Sequence, residues 1–193
     1  AIPIYYDFAS TICYVTHRAM ERWASDLDEL RVSLHWRPLD LARITGWPRG
    51  VEVEGERRAQ ALRIAEEFSV PVRMPPRWLD SRPAHALALR LEGTAKEPAW
   101  RERIWSAVFE EGRDIGDRGE IERLATEMRI DVDPAADFAF DRLDEATRAA
   151  YESGVSGVPT LDLDGWHLPG LQDQRTTRLV LERFLLRRDP KQT

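Results

Sequence analysis

The chain has 193 residues, of which 42% are hydrophobic and 32% charged, with a formal net charge of −6 and a pI near 5.4. That length supports one domain, or one domain with an insertion, and the composition excludes a wholly disordered or fibrous chain. The acidic balance argues against a nucleic-acid partner, and no apolar run approaches the roughly 18 residues of a membrane span. All but two of the 28 basic residues are arginine, the exceptions being Lys96 and Lys191, and asparagine is absent, a bias that suggests a GC-rich genome. The opening Ala1–Phe8 lacks the basic region and long apolar stretch of a signal peptide. Cys13 is the single cysteine, so an intrachain disulfide and a Cys–Cys metal site are both ruled out, and a cytoplasmic location is expected.

In chain order, Ile2 to Phe8 is short, apolar and aromatic, and reads as a buried strand. Ser10 follows in a capping position, and Ile12, Val15, Ala19, Trp23 and Leu27 then fall on one helical face. Arg31 to Leu39 alternates and reads as a second strand, which the helical crossover makes parallel to the first. A Gly- and Pro-bearing loop runs from Asp40 to Gly55. Helical spacing then takes over for about ninety residues, with candidate helices around 61–68, 83–91, 100–111, 121–128 and 143–151, and with Asp80 or Ser81 as a cap. Strand signal returns at Val158–Leu163, turns at Asp164-Gly165, and pairs back through Trp166-His167-Leu168. Val180, Leu181, Phe184 and Leu185 mark a last helix. The order is βαβ, helices only, then ββα, which predicts an α/β protein whose single sheet is interrupted by an all-helical insertion.

Two segments carry candidate chemistry. Asp7 to Tyr14 sets a hydroxyl, Ser10, and a thiol, Cys13, three residues apart where the first strand meets the first helix. A helix N-terminus stabilises an anion, and thiol pKa values fall there. Cys13 sits about one turn further in than Ser10 and is the less accessible of the two. The plain alternative is a serine N-cap beside a packed cysteine. The second segment is Gly157-Val158-Pro159-Thr160. A proline at a strand entrance donates nothing to the ladder, takes the cis form in some tight turns, and would present the Val158 backbone to an extended peptide. The alternative is a simple loop-to-strand stop.

Together, S-x-x-C after the first strand and G-V-P-T before the third resemble the DsbA-like thioredoxin-fold superfamily over nearly the whole chain. Asp80 to His85 and Gly170-Leu171-Gln172 are similar to segments of its FrnE-like branch. Glu111 to Asp117 resembles a stretch shared by that branch and the 2-hydroxychromene-2-carboxylate isomerases. The resemblance implies a thioredoxin-like domain from 1–50 and 154–193, with a helical insertion at 51–153. Redox members carry C-x-x-C, whereas here Ser10 takes the first position, so no intramolecular dithiol cycle can run. Serine in that position resembles the kappa-class glutathione transferases and the isomerases, whose hydroxyl hydrogen-bonds the thiolate of glutathione.

On that resemblance, Ser10 and Cys13 are the catalytic candidates, and Gly157, Val158, Pro159, Thr160, His85 and Gln172 would bind thiol or substrate. Glutathione or another low-molecular-weight thiol is the expected cofactor, a small organic substrate or peptide the expected partner, and a homodimer the expected assembly. Three readings stay open: an isomerase, transferase or monothiol oxidoreductase; a non-catalytic binder of peptide or apolar ligand; and a C-x-x-C enzyme seen with Ser at residue 10. A Cys13–His17 pair is conceivable, but an exposed helix histidine is the plainer expectation for His17. His35 and His167 suggest no role. Trp47 and Trp78 suit an apolar cleft, and the four histidines lack metal-ligand spacing, so no metal is expected.

Overall fold

A computed structural model of the chain describes residues 1–188. The last part of the segment assigned to the thioredoxin-like domain, 189–193, lies outside the described residues. Among the described residues one four-stranded sheet forms, in the order β2-β1-β3-β4. β1 (Ile2–Tyr6) is central, with Ile2, Ile4 and Tyr6 buried on one face as its alternation requires. It pairs in parallel with β2 (Leu34–Pro38), from Ile2 opposite Leu34 to Tyr6 opposite Pro38, as a βαβ crossover demands. The crossover is α1 (Thr11–Arg22) followed by a short α2 (Ala24–Glu29).

β2 starts three residues later than its alternation suggests. The amide of Val32 donates to the Leu27 carbonyl and Arg31 takes a left-handed φ of 55°, so these residues close the end of α2 instead. β3 (Thr160–Leu163) and β4 (Trp166–Pro169) form the expected hairpin, and both turn residues, Asp164 and Gly165, have positive φ. β3 runs antiparallel to β1. It begins at Thr160, after a proline that has no ladder donor, although the Pro159 carbonyl still accepts from the Gly170 amide at 2.8 Å.

Between the halves of the sheet lie α3 (Leu41–Thr45), α4 (Gly55–Glu67), α5 (Arg82–Leu91), α6 (Lys96–Ser106), α7 (Arg118–Glu127), α8 (Pro134–Asp137) and α9 (Asp141–Glu152); α10 (Gln174–Arg188) closes the described chain. α6 runs on into a π turn at Ala107–Glu111. This is a thioredoxin fold carrying a helical insertion. Its core is continuous: Ile4, Tyr6 and Leu161 of the sheet join Trp100, Ile104, Trp105 and Leu124 of the helices. The Trp100 indole also donates to the Ala84 carbonyl at 3.0 Å, which fixes α6 against α5.

The Glu111–Asp117 stretch is structural in its contacts. Gly112 ends the π turn at φ 75°, pressed so close to Arg73 that a Cβ would meet its Nε at 2.8 Å. Asp114 accepts from the Gly116 amide, Ile115 is fully buried, and Asp117 caps α7 through the Gly119 amide at 2.9 Å. No helix among the described residues is long and apolar enough to cross a membrane.

Candidate active site

The site is built on the turn between β1 and α1. Asp7 is fully buried and holds two separate backbone segments: Oδ1 accepts the Ala9 amide and Oδ2 the Leu41 amide, both at 2.8 Å. Burial by itself would push this carboxyl up. Hydrogen bonds from His85, Ser81 and the Ala9 amide outweigh it and hold Asp7 below the ordinary carboxylate range. The Ser10 amide donates to the Asp7 carbonyl at 3.0 Å, which sets Ser10 at the N-cap of α1. Its Oγ accepts the Cys13 amide at 3.3 Å, as a capping serine does. The same side chain also lies within hydrogen-bond reach of the Cys13 thiol. The amides of Thr11 and Ile12, at the start of the helix, have no carbonyl partner within it.

Ala9, Ser10, Thr11 and Ile12 form the floor of a cleft of about 460 Å³. Its walls come from segments far away in sequence. Leu41 and Trp47 contribute from α3 and beyond, Val53 from the loop, and Glu56, Arg57, Gln60 and Ala61 from α4. Met74, Pro75, Arg77 and Trp78 come from the Pro-rich break, and Val158 from the strand entrance. The stretch 50–53, expected as plain loop, is held to 76–78 by a short backbone ladder: Gly50 to Trp78, Trp78 to Val51, and Val53 to Pro76, each 2.8 Å. This ladder brings Trp47 and Trp78 together edge to face, with ring centres 5.2 Å apart. The Arg57 guanidinium lies 3.5 Å from the centre of the Trp47 ring, so a positive charge sits over an aromatic wall.

Of the residues singled out from sequence, Ser10 and Val158 line this cleft together. The Val158–Pro159 bond is cis, and Thr160 Oγ1 donates to the Gly157 carbonyl at 2.8 Å, fastening the segment beside Val158. Cys13 is fully buried, and burial pushes its thiol up to about 12, against the pull of the Ser10 and Asp7 hydrogen bonds. The helix N-terminus therefore does not make this thiol reactive; removal from water outweighs it.

Two candidate residues lie away from the cleft lining, and the expectation of an exposed His17 is corrected. His85 does not line the cleft. It lies fully buried, stacked on Phe8 at 4.7 Å, with Nε2 at 3.3 Å from both the Phe8 amide and Asp7 Oδ1. One tautomer accepts from Phe8 and the other donates to Asp7, so the ring serves the turn from within. Gln172 is also outside the cleft lining, its amide donating to the Pro169 carbonyl at 3.3 Å. His17 is not an exposed helix histidine: it is buried, tilted against Trp105 at 4.6 Å. The residues missed from sequence are Asp7 and Arg57. Asp7 stood in the S-x-x-C segment, but its hold on Leu41 is a contact 34 residues away.

The family model for the DSBA-like thioredoxin domain matches residues 1–182. A search of curated proteins gives no match. Among solved structures, a 2-hydroxychromene-2-carboxylate isomerase is similar at a TM-score of 0.73 and 20% identity, covering 100% of this chain and 99% of its own. A probable DsbA oxidoreductase from Streptomyces coelicolor is similar at 0.72 and 21%, covering 100% and 91%. The cytosolic disulfide reductase DsbM from Pseudomonas aeruginosa, solved with GSH, is similar at 0.60 and 21%, covering 95% and 98%.

Proposed function

The chain belongs to the DSBA-like thioredoxin domain family, and from that premise we propose that it binds a low-molecular-weight thiol, glutathione first, at Ser10 and directs the sulfur onto a small organic substrate in the adjoining cleft. The observation that carries this reading is the split between Ser10 and Cys13. Ser10, though only 6% exposed, is among the residues lining the cleft, whereas the chain's only thiol is fully buried with its pKa pushed up to about 12. A sulfur reacting in this cleft must therefore come from a ligand.

The residues present fit such a ligand. The cleft volume of about 460 Å³ falls within the roughly 300–1,000 Å³ of small-molecule sites. Ser10 donates its hydroxyl proton to a thiolate, and the first-turn amides of α1 add their positive end of the helix dipole. Val158 offers backbone groups beside Pro159 for a peptide-like ligand. Arg57 and Arg77 supply positive charge for carboxylates, while Trp47, Trp78 and Met74 supply apolar wall for the substrate. When bound, the thiol supplies the nucleophile that adds to the substrate, in isomerase, transferase or monothiol redox chemistry. The relative solved with GSH and the isomerase relative both support the reading, and the cytosolic description of the former supports a cytoplasmic location.

Calorimetric binding of reduced glutathione to the wild type and to Ser10→Ala tests this. Binding at least tenfold weaker in the variant, about 1.4 kcal/mol, is the expected result. Equal affinity for the two proteins overturns the role of Ser10. Binding of apolar ligands or peptides, with none of any thiol, favours a non-catalytic binder.

A further inference from the structure

A second cluster of polar side chains lies further along α1. His17 and Glu21 are four residues apart and share a helix face, and Glu102 reaches them from α6. His17 Nε2 lies 2.7 Å from Glu102 Oε2 and 3.4 Å from Glu21 Oε1. Arg18 holds the same two carboxylates by their other oxygens, Nη1 to Glu21 Oε2 at 2.9 Å and Nη2 to Glu102 Oε1 at 2.7 Å. It also reaches Glu110 Oε1 at 2.6 Å. Each of the two carboxylates thus commits one oxygen to a guanidinium and turns the other toward a single imidazole nitrogen. One ligand atom from each of His17, Glu21 and Glu102 lies within 4.8 Å of the others.

Two further features suit this set to a cation. The His17 ring is fixed, tilted against Trp105 at 4.6 Å and edge-on to Trp36 at 5.6 Å. Three carboxylates, Glu21, Glu102 and Glu110, face the one guanidinium of Arg18. The nearby Arg101 is already paired with Glu97. Three carboxylates against one guanidinium leave the cluster rich in negative charge.

We propose that His17, Glu21 and Glu102 form a site for a first-row divalent metal ion, zinc in the first instance. The ion takes the position of the Nε2 proton, the ring carries its proton on Nδ1, and water completes four-coordination. Arg18 stays where it is and orients both carboxylates from behind, as outer partners of metal ligands do. The ion would tie α1, which carries Ser10, to α6 of the insertion. A spacing test on histidines alone passes over this set, because two of its three ligands are glutamates. The site does not depend on the thiol reading.

Calorimetric titration of Zn²⁺ into the metal-free full chain is the test, with Glu21→Gln and Glu102→Gln as variants that keep side-chain volume. One equivalent should bind the wild type, at least tenfold more weakly in each variant. Zn²⁺ should raise the thermal midpoint of the wild type and leave that of Glu102→Gln in place. His17→Gln should abolish the site; because that ring is buried, the two glutamine variants decide the matter if it fails to fold. Absence of Zn²⁺ binding to the wild type, or affinity unchanged in both glutamine variants, overturns the proposal.

Discussion

Two aromatic groups meet the turn at residues 7–10, and they have been put to opposite uses. On one side Tyr6, Phe8, Trp36 and Trp105 pack ring on ring at 5.0–5.8 Å, each of them buried. On the other, Trp47 and Trp78 stand at 5.2 Å as the wall of a cleft. The residue types are the same; the difference is what lies opposite each ring. The closed group is capped by the two buried histidines, whereas the open group faces the N-terminus of α1. Ser10 and Cys13 straddle this boundary three residues apart: Ser10 lines the cleft though only 6% exposed, and the Cys13 thiol is fully buried.

The largest effect should come from breaking the closed side. Trp105→Ala should cost about 3–5 kcal/mol in denaturant unfolding, because it removes a fully buried indole. Next should be Asp7→Ala, which strips the Ala9 and Leu41 amides of their acceptor at about 1–3 kcal/mol for each buried group left unpaired. Asp7 also sets a pH dependence. Its folded pKa lies below the value of about 3.9 that it regains on unfolding. Its contribution is therefore whole above that value and is lost as pH falls through it toward the lower folded pKa. Acid titration of stability should show this loss in the wild type and a shallower one in Asp7→Asn.

The thiol provides a sharper contrast. With its pKa at about 12, Cys13 should react with an alkylating reagent at pH 8 on the order of a thousandfold more slowly than in the unfolded chain. Mass spectrometry of timed aliquots measures both rates. The smallest stability effect belongs to the open side: Trp47→Ala should shift unfolding by about 1 kcal/mol, since a partly buried ring has less to lose. It should nevertheless weaken ligand binding measurably, which would show that the open aromatic pair serves binding more than folding.

Much of the frame could be read from residue order. β1, the crossover and the Asp164-Gly165 hairpin follow from local alternation and turn chemistry, and structure agrees with them. The miss at His17 has a local cause. A stripe of Ile12, Val15, Ala19 and Trp23 implies a helix with one buried face, yet α1 also buries Cys13, Tyr14, Thr16, His17 and Met20. Cys13, Thr16 and His17 lie off that stripe, so the pattern that marks the buried face gives no hint that His17 is internal. α5 likewise buries seven of its ten residues, His85 among them. The cleft walls were legible only as residue types, since the ladder between 50–53 and 76–78 carries no alternation to announce it.

The central claim is that Ser10 supports a thiolate brought by a ligand. The most direct measurement is the ultraviolet titration of the thiol of protein-bound glutathione, in the wild type and in Ser10→Ala under saturating protein. The bound thiol of the wild type should ionise at least one pH unit below an ordinary thiol value of about 8.5, and the variant should lose that shift. A bound thiol that ionises at its free value in both proteins would contradict it.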